Sequence, residues 1–344
     1  MKTPFKVVII LFIFVMCFFG CARREKHEAD SKDRYRETRI LLGTIVRVDV
    51  CGDPATHLEL ENIYQEIWQR LKDIHWRMSY FDDRSDVSRI NRSFNNPVFV
   101  GCDTYQLIKD AKKYSKMTQG TFDITVLPLV QLWESAGLKG VNPTLAEVRR
   151  VKGKIGMDRI LLHENCQVEI VSADVQIDLS ALAKGYAVDE AAAIFRKYGV
   201  KDFFIDAGGD IYVGGHNCEG DLWRIGIRSP ENKEKILKVV HVKDAAVTTS
   251  GDYEKFSIIG DQKWSHIINP ITGYPRQSVN SATVIAPTAR EADALSTALC
   301  ILPPNKGVVL VDHLEEGYAA LLVNSADQKN PVLPSRNLQR FQKK

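Results

Sequence analysis

Two short segments carry side chains whose types and spacing could do phosphate chemistry. In IDLSALAKGYA (177–187) a carboxylate, Asp178, stands just before a helix start, and Lys184 follows about two turns along. Taken alone, that is a charged helix cap and a solvated lysine. In EADALST (291–297), Asp293 and Thr297 are spaced i and i+4, so on a helix their oxygens share one face. A carboxylate and a hydroxyl so placed suit Mg²⁺, which takes hard oxygen ligands and shares them with phosphates. Most helical Asp/Thr pairs have no such role. Two glycine turns add to these. DAGGD (206–210) follows the apolar run FFI but lacks the G-x-G-x-x-G spacing of a dinucleotide fingerprint. Its adjacent Gly208 and Gly209, beside Asp210, still let backbone amides approach a phosphate or ring. The other is QGTFD (119–123). His266, in SHIINP, stands at a strand-to-turn transition and can exchange a proton near neutral pH.

The elements that must position these groups can be read from periodicity. Residues 43–50 alternate as a strand does. From Leu60 to Met78 apolar residues recur at helical spacing. A second helix is predicted from Asp103, as N-cap, to Gly120. A third follows Ser180 and ends near Gly199, with Ala187, Ala191, Ile194 and Tyr198 along one stripe. A fourth starts at the capping pattern Thr288–Glu291 and is halted by Pro303-Pro304. Strands are predicted at 203–206, 211–214, 236–242, 281–286 and 318–323. This irregular interleaving predicts an α+β class, mixed sheets with packed helices in one large domain, over a regular doubly wound sheet.

The chain has 344 residues with a net charge of +3, and its first 20 residues hold two lysines and no acid. A balance so near neutral gives no electrostatic argument for a nucleic-acid partner. Lys2 and Lys6 precede an apolar run from Val7 to Phe19, then Gly20-Cys21. This is a secretory pattern, and the run is shorter than the ~20 residues of a spanning helix. A small residue before Cys is where bacterial signal peptides are cut and the Cys lipidated. The expected organisation is therefore a signal at 1–20, lipidated Cys21 and a polar tether to residue 39, a domain over 40–330, and a polar tail at 331–344. An uncleaved anchor is the alternative; both place the domain outside the cytoplasm, on the periplasmic face of the inner membrane or at the cell surface. Cys51, Cys102, Cys166, Cys218 and Cys300 form no CxxC pair and are expected to be buried small hydrophobes.

LLGT (41–44), MSYFDDRSDVSRIN (78–91), GTFDIT (120–125), IDLSALAKGYAVD (177–189), DAGGDIYVGG (206–215), TTSGDYEKF (248–256), SHIINPITGYP (265–275) and EADALSTAL (291–299) follow one another in an order that resembles the FAD:protein FMN transferase family of ApbE-like lipoproteins. The resemblance covers roughly residues 40–325 and implies a Mg²⁺-dependent enzyme that moves the FMN half of FAD onto a threonine hydroxyl of an acceptor protein, releasing AMP. By motif it makes Asp293, Thr297 and the backbone carbonyl of Ala181 the Mg²⁺ ligands. Leu42 and Phe81 fall near the flavin ring, and Phe81, where Tyr is usual, keeps stacking but lacks the hydroxyl. Thr121, Phe122, Asp123, Asp178, Lys184 and Ile267 fall on FAD-contacting positions, the Gly208-Gly209-Asp210 turn joins them, and His266 is the candidate base. The implied acceptor is a membrane redox-complex subunit or an exported flavoprotein. Two alternatives stay open: Mg²⁺-dependent hydrolysis of FAD to FMN and AMP, and a flavin-binding lipoprotein without chemistry.

Overall fold

A computed structural model describes residues 34–342, except 53–56, 233, 252–255, 261, 277, 278, 326, 328 and 330. The signal segment, Cys21 and most of the tether lie outside the described residues. An eight-stranded antiparallel sheet organises the chain, in the spatial order Arg34–Leu41, Thr44–Cys51, Phe203–Ala207, Asp210–Gly214, Ala245–Gly251, Ser281–Ala286, Ala319–Val323 and Val332–Pro334. Side chains alternate across it. Ala246, Ala282, Val284 and Tyr212 face the larger core, under the helices His57–Met78, Ser180–Lys197 and Ala289–Ile301. Val213, Val247 and Ile285 face a second core, closed by the hairpin Trp223–Arg228 and Ile236–Val242. The α+β expectation holds.

Two flanking units complete the chain. A three-stranded sheet of Val98–Phe99, Gln167–Ile170 and Ile160–His163 packs with the helices Asp86–Arg92 and Cys102–Met117. The helices Leu127–Lys139 and Leu145–Lys152 form a third core with the hairpin Phe256–Ile259 and Gln262–Ser265.

Several expectations need correction. The tether does not run to residue 39, because Arg34–Leu41 pairs in full register with Thr44–Cys51; its alternating charged residues resemble a linker but make an edge strand with one solvated face. The polar tail adds the last strand of the main sheet and buries Leu338. The second helix begins at Cys102 with Gly101 as its cap, and Asp103 instead pairs with Arg70 at 2.7 Å. Tyr198 lies beyond the last helical turn and is exposed. The Ala289–Ile301 helix does stop before Pro303-Pro304, and Pro304 then starts an unpredicted helix, Pro304–Asp312, since proline suits a first turn. The cysteines are corrected most. Cys51 bonds Cys218 and Cys102 bonds Cys166, while Cys300 is buried outside both disulfides and donates its thiol to Ser250 O at 3.3 Å. Partners 167 and 64 residues apart carry no local spacing signal.

Candidate active site

The helices Ser180–Lys197 and Ala289–Ile301 lie side by side on the larger-core face of the sheet. Their approach requires Gly185, where an added Cβ would stand 2.5 Å from the Ala289 carbonyl oxygen. One turn further, Asp189 accepts the backbone N–H groups of Ala289 at 2.7 Å and Arg290 at 3.1 Å, so one helix caps the start of the other. Burial pushes the Asp189 carboxyl up to about 6 against those donors.

Between these helices and the sheet, Lys184 Nζ bonds Asp210 Oδ2 and lies 3.5 Å from Asp293 Oδ2. The Gly185 N–H donates to the same Asp293 oxygen at 3.2 Å. Both carboxylate side chains are only 3% exposed, so one ammonium faces two buried carboxylates. Burial and then the Asp210 charge push Asp293 up to about 8, with Lys184 opposing. Burial also works against the lysine charge, yet the two carboxylates outweigh it and hold Lys184 above its ordinary value. Thr297 is one turn from Asp293, and Ser250 Oγ reaches it at 3.3 Å and Ser296 Oγ at 2.7 Å.

This set fits a hard divalent cation. It sets two buried carboxyl groups against one ammonium, and the predicted helical pair sits on one face of a real helix. Helix geometry directs the Gly185 amide back toward the Ala181 carbonyl, so the amide that touches Asp293 brings that carbonyl alongside. Among the described residues no cluster of three or more His, Cys, Asp or Glu side chains could hold a metal. The donors are therefore one carboxylate, a hydroxyl and a carbonyl, the sparse oxygen set that Mg²⁺ completes with substrate phosphates and water.

A second group of predicted residues forms a rim. The Asp178 N–H donates to Ile124 O at 2.8 Å, which joins the 121–125 and 177–180 segments. Asn91 clamps Ile177 through both backbone groups, at 2.7 and 2.9 Å. Asp178 caps the Ser180 helix, accepting from Ser180 N and Oγ at 2.8 Å each. Asp123 accepts from Thr125 N and Oγ1, and burial holds its carboxyl above the ordinary range. Burial and then the Asp178 charge push Tyr80 up to about 12, and its ring packs 3.9 Å from that of Phe81. Phe81 is 82% exposed, a free face for stacking. Leu42, at φ 55°, forms the hairpin turn with Gly43.

Other predicted contacts change character. Lys184 is ion-paired rather than solvated, and Asp210 is buried against it rather than presented with the glycine turn. The Phe122 side chain lies in the core, edge-on to Tyr114, so only its backbone is left for a ligand. Thr121 is buried with its hydroxyl on Thr118 O. Gly208 packs on Thr44 and Gly209 donates to Asp206. The structure thus joins Lys184, Asp210, Asp293 and Thr297 in one cluster, and Asp123, Asp178 and Phe81 along the rim. His266 stands on a third element, exposed where the Gln262–Ser265 strand ends, beside buried Ile267. Sequence reasoning missed Gly185, Asp189 and Ser250. Ser250 lay in the quoted TTSG run, but a Thr/Ser strand is ordinary until its face is known.

The family model described as the ApbE family matches residues 42–322. An FAD:protein FMN transferase of Haemophilus influenzae is 30% identical over 293 residues, covering 80% of this chain and 85% of its own. One of Salmonella typhimurium is 31% identical over 293 residues, covering 82% of each. Among solved structures, the ApbE protein of Thermotoga maritima superposes with a TM-score of 0.80 at 32% identity, over 91% of this chain and all of that one. Flavin Transferase ApbE from Vibrio cholerae superposes with a TM-score of 0.79 at 26% identity, over 90% of this chain and 99% of that one.

Proposed function

The chain belongs to the ApbE family, and from that premise we propose that it is an FAD:protein FMN transferase acting on an acceptor threonine with Mg²⁺. The observation that carries the chemistry is the Lys184–Asp210–Asp293 cluster, its two carboxyl groups buried, with Thr297 one turn away. Asp293, Thr297 and the Ala181 carbonyl would hold the cation, which supplies charge neutralisation on the pyrophosphate when bound. Lys184, kept charged by its carboxylates, lends a second positive charge to the phosphates. The exposed ring of Phe81 stacks the flavin, and Asp123 and Asp178 orient the cofactor from the rim. His266 takes the proton of the acceptor hydroxyl as its oxygen attacks phosphorus. A P–O bond to threonine forms, the pyrophosphate P–O bond breaks, and AMP leaves with the bridging oxygen.

The acceptor is a membrane redox-complex subunit or an exported flavoprotein, met outside the cytoplasm where Cys21 anchors the chain by lipid. The signal pattern at 1–20 supports that location, and so do two disulfides, which persist in oxidising compartments. Replacing Cys21 with Ser should release the chain from membranes or leave it unprocessed; a processed, membrane-bound variant refutes lipidation there.

The test of the activity is mass spectrometry of a co-expressed acceptor with the wild-type chain, with Asp293→Ala and with neither. Covalent FMN on a threonine with the wild type alone supports the reading. Equal labelling by Asp293→Ala at ordinary Mg²⁺ removes the metal assignment, and FMN and AMP release without labelling makes the chain a hydrolase.

A further inference from the structure

Thr248 belongs to the strand Ala245–Gly251, between Asp210–Gly214 and Ser281–Ala286. Its cross-strand partner is Asp210, and directly opposed residues project to the same face with Cβ atoms about 5 Å apart. That face is the one the helices cover, since Ala246 packs in the larger core and Val247 in the other. Ser250, two residues on and therefore on the same face, touches Ser296 and Thr297 of the Ala289 helix. Thr248 thus stands between Asp210 and that helix. It is 0% exposed, and its hydroxyl has no hydrogen-bond partner among the described residues. Folded chains rarely leave a buried hydroxyl in that condition, and an unmade bond there costs stability. Ser281, also buried and unbonded, has the opposite parity on the next strand and faces the second core.

We propose that Thr248 is a positioning residue for the divalent-cation site, a role that rests on the Mg²⁺ reading above. A threonine hydroxyl can accept one hydrogen bond while donating another. Beside Asp210 it donates to the carboxylate and accepts from the hydration shell of the cation, which Mg²⁺ sheds reluctantly. Loading the site satisfies the hydroxyl, and the free energy lost by leaving it unbonded in the free protein is recovered as metal affinity.

Three variants of the exported chain test this, with Mn²⁺ as the probe, free Mn²⁺ read by electron paramagnetic resonance, and thermal midpoints measured without metal. Thr248→Val keeps the shape and removes the hydroxyl. Its metal-free midpoint should equal or exceed that of the wild type, while Mn²⁺ affinity falls about tenfold, as for other groups that support metal ligands. Thr248→Ser should restore the affinity. Asp293→Ala should lose Mn²⁺ binding altogether. If Asp293→Ala loses binding while Thr248→Val binds like the wild type, the role of Thr248 is overturned and the cation site stands. If Asp293→Ala binds like the wild type, both fail. A Val variant with a lowered metal-free midpoint, and a Ser variant that does not restore affinity, assign the hydroxyl to the fold and overturn the proposal.

Discussion

At Lys184, one ammonium and two carboxyl groups are wedged between two helices and a sheet, with both carboxyl side chains 3% exposed. At the rim, Phe81 is 82% exposed, and on a third element His266 is exposed at the open end of a two-stranded hairpin. The centre is assembled by contacts between residues 26 and 109 apart in the chain. The rim is held by local bonds, as when Asp178 caps Ser180 and Asp123 caps Thr125, and is tied down by the Asn91 clamp. Groups that must stabilise charge gain from exclusion of water, because a low dielectric strengthens each interaction. Groups that must admit a large cofactor and then a protein need an open surface. Changes at the rim should therefore alter binding or turnover with little effect on stability, except at its disulfide, and changes at the centre should alter both.

The largest effect is expected at His266. His266→Asn should slow transfer by about 10²–10⁴ while leaving the thermal midpoint unchanged and FAD affinity within a few-fold. Flavin fluorescence measured beside transfer rates checks this, and parallel loss of both makes His266 a pocket wall.

The rim disulfide comes next. Cys102–Cys166 ties the start of one helix, whose far end leads into residues 121–123, to the hairpin that leads into Asp178. Replacing both cysteines with Ala should lower stability by about 4 kcal/mol in denaturant titration, the loop-closure value for a 64-residue span. It should also weaken FAD binding more than the same change at Cys51 and Cys218. Equal weakening by the two pairs would show that the rim does not depend on its tether.

At the centre, Asp189 gives a pH signature. Its folded value of about 6 lies above the unfolded 3.8, so the folded state binds the extra proton. The stability it contributes is fully present below pH 3.8 and is lost as pH rises through about 6, by about 3 kcal/mol at 1.36 kcal/mol per pH unit. Unfolding free energies from pH 4 to 7 should therefore fall in the wild type relative to Asp189→Asn. A relative rise would mean that the two amide donors outweigh burial.

Gly185→Ala should lower stability by about 1–3 kcal/mol, as an overpacked helix contact. It should also weaken Mn²⁺ binding, because parting the helices separates Lys184 from Asp293. A destabilised variant with unchanged Mn²⁺ affinity would uncouple the helix contact from the site.

Much of this was legible from residue order. Apolar spacing predicted the helices at 60–78 and after Ser180, and Thr288 with Glu291 marked the start of the last motif helix. The Asp293/Thr297 pair was legible because i, i+4 adjacency is a property of any helix. The helices Asp86–Arg92, Leu127–Lys139 and Leu145–Lys152 went unread.

What the sequence by itself determined is local: where the chain coils or extends, and which side chains share a helical face. Each of those depends on neighbours within a few residues. Only the tertiary structure decided that Lys184 meets Asp210 and Asp293, that Cys51 finds Cys218, that Phe122 turns inward and that residues 34–41 are a strand. Those outcomes depend on which distant segments close on one another. Burial then sets their energetics, so that a lysine which reads as solvated becomes the counterion of two carboxylates.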